Sequence, residues 1–232
     1  MKKDVIIALD FPNGKETLEF LDKFEGKKPF VKIGMELFYS EGPSIINEIK
    51  ARGHKIFLDL KLHDIPNTVE KAMMSLAKLD VDMCNVHAAG TIEMMQAALR
   101  GLTSIKVENR PLLIAVTQLT STSEERMQEE LLINHSLEDT VTKYAQNTKF
   151  AGLDGVVCSP RESALIHNAC GSDFLTVTPG IRFAEAKKDD QVRITTPEDA
   201  KKLGSNFIVV GRPITKADDP VLAYERCLKE FL

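Results

Sequence analysis

The chain lacks a C-x-x-C pair, a metal-spaced set of histidines, an excess of basic charge and a long apolar run, and each absence removes a class of function. Cys84, Cys158, Cys170 and Cys227 are too far apart for a zinc or redox motif. Three of them fall in apolar stretches, which fits reduced, buried thiols of a cytoplasmic protein. The five histidines show no metal-ligand spacing. Lys and Arg number 30 against 34 Asp and Glu, scattered along the chain, so the net charge of -4 gives no electrostatic footprint for nucleic acid. No window approaches the roughly 18 uninterrupted apolar residues of a membrane span. Asp4 and Asp10 also cut the first apolar run too short for a signal peptide. A soluble cytoplasmic protein with no nucleic-acid and no membrane partner is expected.

What is present is alternation. With 43% hydrophobic residues over 232 positions the chain can bury a full core. Short runs rich in Val, Ile, Leu and Phe predict strands at Val5 to Leu9, Phe30 to Ile33, Lys55 to Lys61, Met83 to His87, Leu112 to Val116, Gly155 to Cys158, Leu175 to Val177 and Phe207 to Val210. Amphipathic stretches between them predict helices near 15–25, 36–52, 67–79, 91–102, 136–150, 161–170, 197–203 and 219–232, with an extra short helix around Ser123 to Leu132. Apolar strands alternating with helices imply a parallel sheet covered by helices. Eight such units fit an α/β fold, a single-domain (β/α)8 TIM barrel over 1–232. The alternative is an open doubly wound sheet. Its dinucleotide-binding form is disfavoured by the turn after the first strand, Asp10-Phe11-Pro12-Asn13-Gly14, which is not a G-x-G-x-x-G loop.

In such a barrel the chemistry sits at the C-terminal ends of the strands. Polar residues there are Asp10, Lys32, Asp59 and Lys61, Asn85 and His87, the run Thr117 to Ser121, Arg182 after strand 7 and Gly211-Arg212-Pro213 after strand 8. The stretch Lys55 to Thr68 is the most unusual, because an apolar strand ends in Asp59-Leu60-Lys61 and Asp64 follows just before Pro66. If pairing extends through Lys61, a two-residue period puts Asp59 and Lys61 on one face and Leu58, Leu60 and Leu62 on the other. Two readings stand: an ordinary ion pair with Asp64 as a helix N-cap, or a charged reaction centre. Gly211-Arg212 suggests a phosphate site, since Arg offers a planar fork of donors and the loops after strands 7 and 8 commonly hold phosphate in this fold. Pro213 and the following helical tail suggest a helix N-terminus nearby. The polar loop Phe183 to Arg193, flanked by Arg182 and Gln191, is placed to close over such a ligand. His87 reads as a packed strand-end residue, and His63 is left unassigned.

Asp59-x-Lys61-x-x-Asp64-Ile65-Pro66-x-Thr68, taken with Ala8-Leu9-Asp10, Val31-Lys32-Ile33-Gly34, Gln118-Leu119-Thr120-Ser121, Pro179-Gly180-Ile181-Arg182 and Val210-Gly211-Arg212, closely resembles the orotidine 5'-monophosphate decarboxylase family in its compact bacterial form. The motifs cover essentially the whole chain in order. The resemblance implies a homodimeric barrel that converts orotidine 5'-monophosphate to uridine 5'-monophosphate (UMP) and CO2, the last step of de novo pyrimidine synthesis, with no cofactor and no metal. It implies Lys61 as proton donor to C6, with Lys32, Asp59 and an Asp64 from the partner subunit completing a charged array. Asp10, Lys32 and Thr68 are implied as ribose-side contacts, Thr120 as a pyrimidine-side contact, and Arg182, Gln191, Gly211 and Arg212 as the phosphate set.

Loss of CO2 leaves a carbanion at C6 that no carbonyl delocalises, so its charge must be stabilised by placement; a fixed ammonium supplies that and a proton. Two other readings remain. Sugar-phosphate relatives, 3-keto-L-gulonate 6-phosphate decarboxylase and hexulose-phosphate synthase, share the Asp-x-Lys-x-x-Asp core but are expected to hold Mg2+ with a carboxylate from the end of strand 2. This chain has Lys32 there, and Glu36 is the one nearby acid. A non-catalytic phosphate-binding barrel would keep Arg212 but has no need of the charged array.

Overall fold

The barrel follows from which alternate residues of each strand turn inward. A computed structural model describes residues 3–105, 110–185 and 195–232. Its strands are β1 (Asp4–Ala8), β2 (Phe30–Gly34), β3 (Ile56–Leu62), β4 (Met83–His87), β5 (Leu112–Val116), β6 (Gly155–Val157), β7 (Leu175–Thr178) and β8 (Phe207–Val210). All neighbours pair in parallel, and β8 pairs with β1, so the sheet closes in sequence order. The helices are α1 (Gly14–Asp22), α2 (Met35–Glu41), α3 (Ser44–Ala51), α4 (Pro66–Leu76), α5 (Thr91–Thr103), α6 (Glu124–Glu130), α7 (Leu137–Phe150), α8 (Ser163–Cys170), α9 (Pro197–Lys202), α10 (Arg212–Thr215) and α11 (Pro220–Phe231). Among the described residues no helix is long and apolar enough to cross a membrane.

Two apolar layers share the strands. Ile6, Ala8, Phe30, Phe57, Met83, Ile114, Val177, Phe207 and Val209 fill the lumen. Val5, Ile7, Val31, Ile33, Ile56, Leu58, Cys84, Val86, Ile208 and Val210 face the helices. Strands buried on both faces read as continuous apolar runs, which is why their periodicity is hidden in the sequence. The next inward positions above the lumen layer are Asp10, Lys32, Asp59 and Asn85, so strand parity alone carries polar groups to the C-terminal mouth.

The single helix expected over 36–52 is two. Gly42 takes φ +66 and Pro43 stands just before α3, so the chain turns although the apolar period runs on through Leu37, Ile45, Ile46 and Ile49. The extra helix expected around Ser123 to Leu132 is α6, with Ser123 capping it by accepting from Arg126 N–H.

Gly101 marks a close contact between α4 and α5. A Cβ there would lie 2.2 Å from the Glu70 carbonyl oxygen, so α5 seats directly on the α4 backbone. Gly101→Ala is expected to cost about 1–3 kcal/mol by forcing the helices apart. An unchanged melting temperature in a thermal melt would show that this contact does not constrain the packing.

Candidate active site

Lys32 on β2 and Asp59 on the adjacent β3 both point inward near the C-terminal mouth of the barrel. Lys32 Nζ stands 3.2 Å from Asp10 Oδ1 and 3.4 Å from Asp59 Oδ2, while Lys61 Nζ stands 2.8 Å from Asp59 Oδ1. Asp59 is buried, and burial by itself raises a carboxyl pKa. The charges of Lys32 and Lys61, with hydrogen bonds from Lys61 and Asn85, outweigh it and bring the Asp59 pKa below its ordinary value. The His87 imidazole, at the end of β4, is pushed down by burial first and then by His63 and Lys61, with Asp59 opposing. A neutral ring near the mouth is the consequence at pH 7. His63 and His87 lie with ring centroids 5.7 Å apart.

Gly34 explains one quiet member of the strand-2 motif. A Cβ at Gly34 would sit 3.1 Å from Lys32 Nζ, so a side chain there would crowd the ammonium.

Asp59 and Lys61 share a face as the two-residue period requires, but regular pairing does not take them there. The β3–β4 register shifts between Leu58 and Leu62, and Lys61 has φ +53, the left-handed region that costs a non-glycine residue about 1–3 kcal/mol. Leu60 and Leu62 still pack outward with Leu58.

Lys32, Asp59 and Lys61 line a cavity of about 210 Å3 together with Phe57, Val116, Gln118, Thr120, Val157 and Pro179. A second cavity, of about 430 Å3, is lined by Asp10, Gly180, Arg182, Gly211, Arg212 and Lys216. Lys32, Pro179 and Val209 line both, so the two are ends of one elongated site. One end is a carboxylate between two ammoniums beside an apolar wall, and the other is cationic. That shape suits a ligand with a flat apolar ring at one end and a phosphate at the other.

The cationic end has its own local causes. Gly180 takes φ +86, which turns the chain after β7 and leaves Arg182 buried, its Nη1 donating to the Ile181 carbonyl at 2.8 Å. Arg182 N–H donates to Thr195 O and Thr195 N–H to Gly180 O, tying the two ends of the intervening segment together. Gln191 and most of the loop from Phe183 to Arg193 lie outside the described residues. α10 is a single turn that begins at Arg212, so it is the arginine side chain, not a long helix N-terminus, that marks this end.

A family model described as "Orotidine 5'-phosphate decarboxylase / HUMPS family" matches residues 3–227. The chain belongs to this family. It is 60% identical to a Bacillus cytotoxicus protein named orotidine 5'-phosphate decarboxylase, with all of this chain and 98% of the relative covered. A Geobacillus relative of the same name is 58% identical over the same shares. The crystal structure of orotidine 5'-phosphate decarboxylase from Lactobacillus acidophilus superposes with a TM-score of 0.89 at 44% identity, covering 99% of both chains.

Against that family pattern, the structure brings Asp10, Lys32, Asp59, Lys61, Thr120, Arg182, Gly211 and Arg212 around one site. It does not bring Asp64 and Thr68 there. Both are exposed, and Asp64 lines a separate shallow depression with His63, Ile65, Pro66 and Gly90. Nor does Asp64 cap α4. Ile65 holds that position, kept extended by the proline after it, and Asp64 Oδ1 accepts from Ile65 N–H at 2.6 Å. Lys216 was missed by the sequence reading, although its spacing of four from Arg212 puts both on one side of a helical turn.

Proposed function

We propose that the chain decarboxylates orotidine 5'-monophosphate without a cofactor, and that Lys61 delivers the proton that replaces the carboxyl group at C6. The protein is a carboxy-lyase of pyrimidine biosynthesis, as its family and its full-length relatives indicate. The observation that carries the mechanism is Lys61 Nζ held 2.8 Å from the buried Asp59 carboxylate, which Lys32 shares. The C6–carboxyl bond breaks, CO2 leaves, and the electron pair stays on C6. The Lys61 ammonium stabilises that pair, then gives it a proton and is left as a neutral amine that solvent reprotonates. Arg182, Gly211 and Arg212, with Gln191, take the phosphate, whose binding energy holds the ring against the array. Asp10 and Lys32 serve the ribose and Thr120 the pyrimidine.

Two copies form the working unit in this reading, with Asp64 and Thr68 of each reaching the partner's site. Their exposure beside Ile65, which is 66% exposed, supports that arrangement. The whole chain is read as one catalytic domain. Its four free, buried cysteines suit a reducing compartment such as the cytoplasm.

The donor set favours metal-free chemistry over the Mg2+-dependent sugar-phosphate reaction. Lys32 occupies the strand-2 position where a carboxylate is needed, and Glu36 is exposed on α2. EDTA-treated protein is therefore expected to clear the orotate absorbance of orotidine 5'-monophosphate at the untreated rate. Activity that returns only with added Mg2+ would favour the sugar-phosphate reading, and binding without turnover the non-catalytic one.

A further inference from the structure

Between the pairs Leu58–Cys84 and Leu62–Val86, three residues of β3 stand opposite one residue of β4, Asn85. The inserted length lets Asp59 and Lys61 both turn into the mouth, and it leaves the Lys61 N–H without a strand partner. Asn85 meets that need from inside the barrel at 1% exposure. Its Oδ1 accepts from Lys61 N–H at 2.8 Å and its Nδ2 donates to Asp59 Oδ1 at 2.7 Å. The same Asp59 oxygen receives Lys61 Nζ. One carboxamide thus fixes the backbone of the lysine and the carboxylate that the lysine ammonium contacts.

We propose that Asn85 is a positioning residue for decarboxylation, clamping the bulged end of β3 so that Lys61 Nζ and Asp59 are held in one geometry before substrate arrives. The proposal rests on the decarboxylase reading of Lys61 and Asp59. A carboxamide fits the task because it donates and accepts at once, and no other side chain of that size does both with fixed polarity. The clamp also offsets the left-handed strain at Lys61, which would otherwise relax toward regular strand and swing the ammonium away. Groups facing Asp59 are Lys32 from β2, Lys61 on its own strand, and Asn85 and His87 from β4, with Asp10 of the β1 end acting through Lys32.

The test pairs Asn85→Asp with Asn85→Ala. Asn85→Asp keeps the volume and the acceptor for Lys61 N–H but sets one carboxylate against another. Asn85→Ala removes both bonds and adds no charge. Each is expected to lose at least about 100-fold in kcat while KM and UMP affinity stay within about threefold. The acid limb of the kcat–pH profile should move to higher pH in both, because Asp59 loses a donor that favours its ionised form. In Asn85→Ala, which adds no buried charge and leaves Asp59 paired with Lys32 and Lys61, the melting temperature should stay well above the assay temperature, a separation that a merely structural role does not produce. Near-wild-type kcat with an unmoved acid limb in either folded variant overturns the proposal. So does a collapse in melting temperature in both variants that accounts for the lost activity. Wild-type protein is assayed alongside: if it is inactive, the decarboxylase reading and this one both fall, whereas an active wild type with unimpaired variants removes Asn85 alone.

Discussion

Lys61→Ala is expected to lower kcat for orotidine 5'-monophosphate by at least about 10^4-fold, the combined scale of a lost general acid and a lost charge stabiliser. That loss corresponds to roughly 5 kcal/mol of transition-state stabilisation. Binding should suffer far less, because Arg182, Gly211, Arg212 and Lys216 line the other end of the site. The fold should also survive. Asp59 keeps Lys32 at 3.4 Å and the Asn85 amide at 2.7 Å, so removing Lys61 does not strand a buried carboxylate. The measurement is single-turnover decay of orotate absorbance beside a UMP titration and a thermal melt. Activity within tenfold of wild type would take the proton-donor role from Lys61, and a matching loss of UMP affinity would recast it as a binding residue.

How much of this was legible depends on whether the deciding contact lies within one strand or between strands. Met83–His87, Leu112–Val116 and Phe207–Val210 match the sequence reading residue for residue, because buried parallel strands leave uninterrupted apolar runs. Lys32 and Asp59 were visible for the complementary reason, as charges at positions where such runs should continue. The break between α2 and α3 was written in Gly42-Pro43, yet the apolar period across it masked the turn. The left-handed Lys61 and the clamp by Asn85 come from a register shift between β3 and β4, which neither strand encodes alone. Asn85 therefore read as an ordinary polar strand-end residue. Asp64 posed a different problem. Five residues from Asp59 in sequence, it is carried out of the cavity by the turn into α4, and local spacing cannot say whether a second chain brings an equivalent residue back.

That question has an arithmetic answer. If each site takes Lys61 from one chain and Asp64 from its partner, Lys61→Ala and Asp64→Ala homodimers are each impaired at both sites. A mixed dimer is not. In it the Asp64→Ala chain still supplies Lys61 and receives an intact Asp64 from the Lys61→Ala chain, while the other site carries both lesions. Two-fold symmetry and random exchange of equal amounts make half of the dimers mixed, so about a quarter of wild-type sites should reappear. Both parents start near zero, which makes the recovery large against its background. The result to look for is turnover that rises with the time allowed for exchange and levels off near that fraction. Differently tagged subunits verify the exchange, and mixed dimers that stay as inactive as their parents would place Asp64 outside any shared site. Within one chain Asp64 points into a depression separate from the Lys61 cavity, so a catalytic Asp64 with no recovery on mixing would require α4 and the turn before it to move, a change that crosslinking the turn should then block.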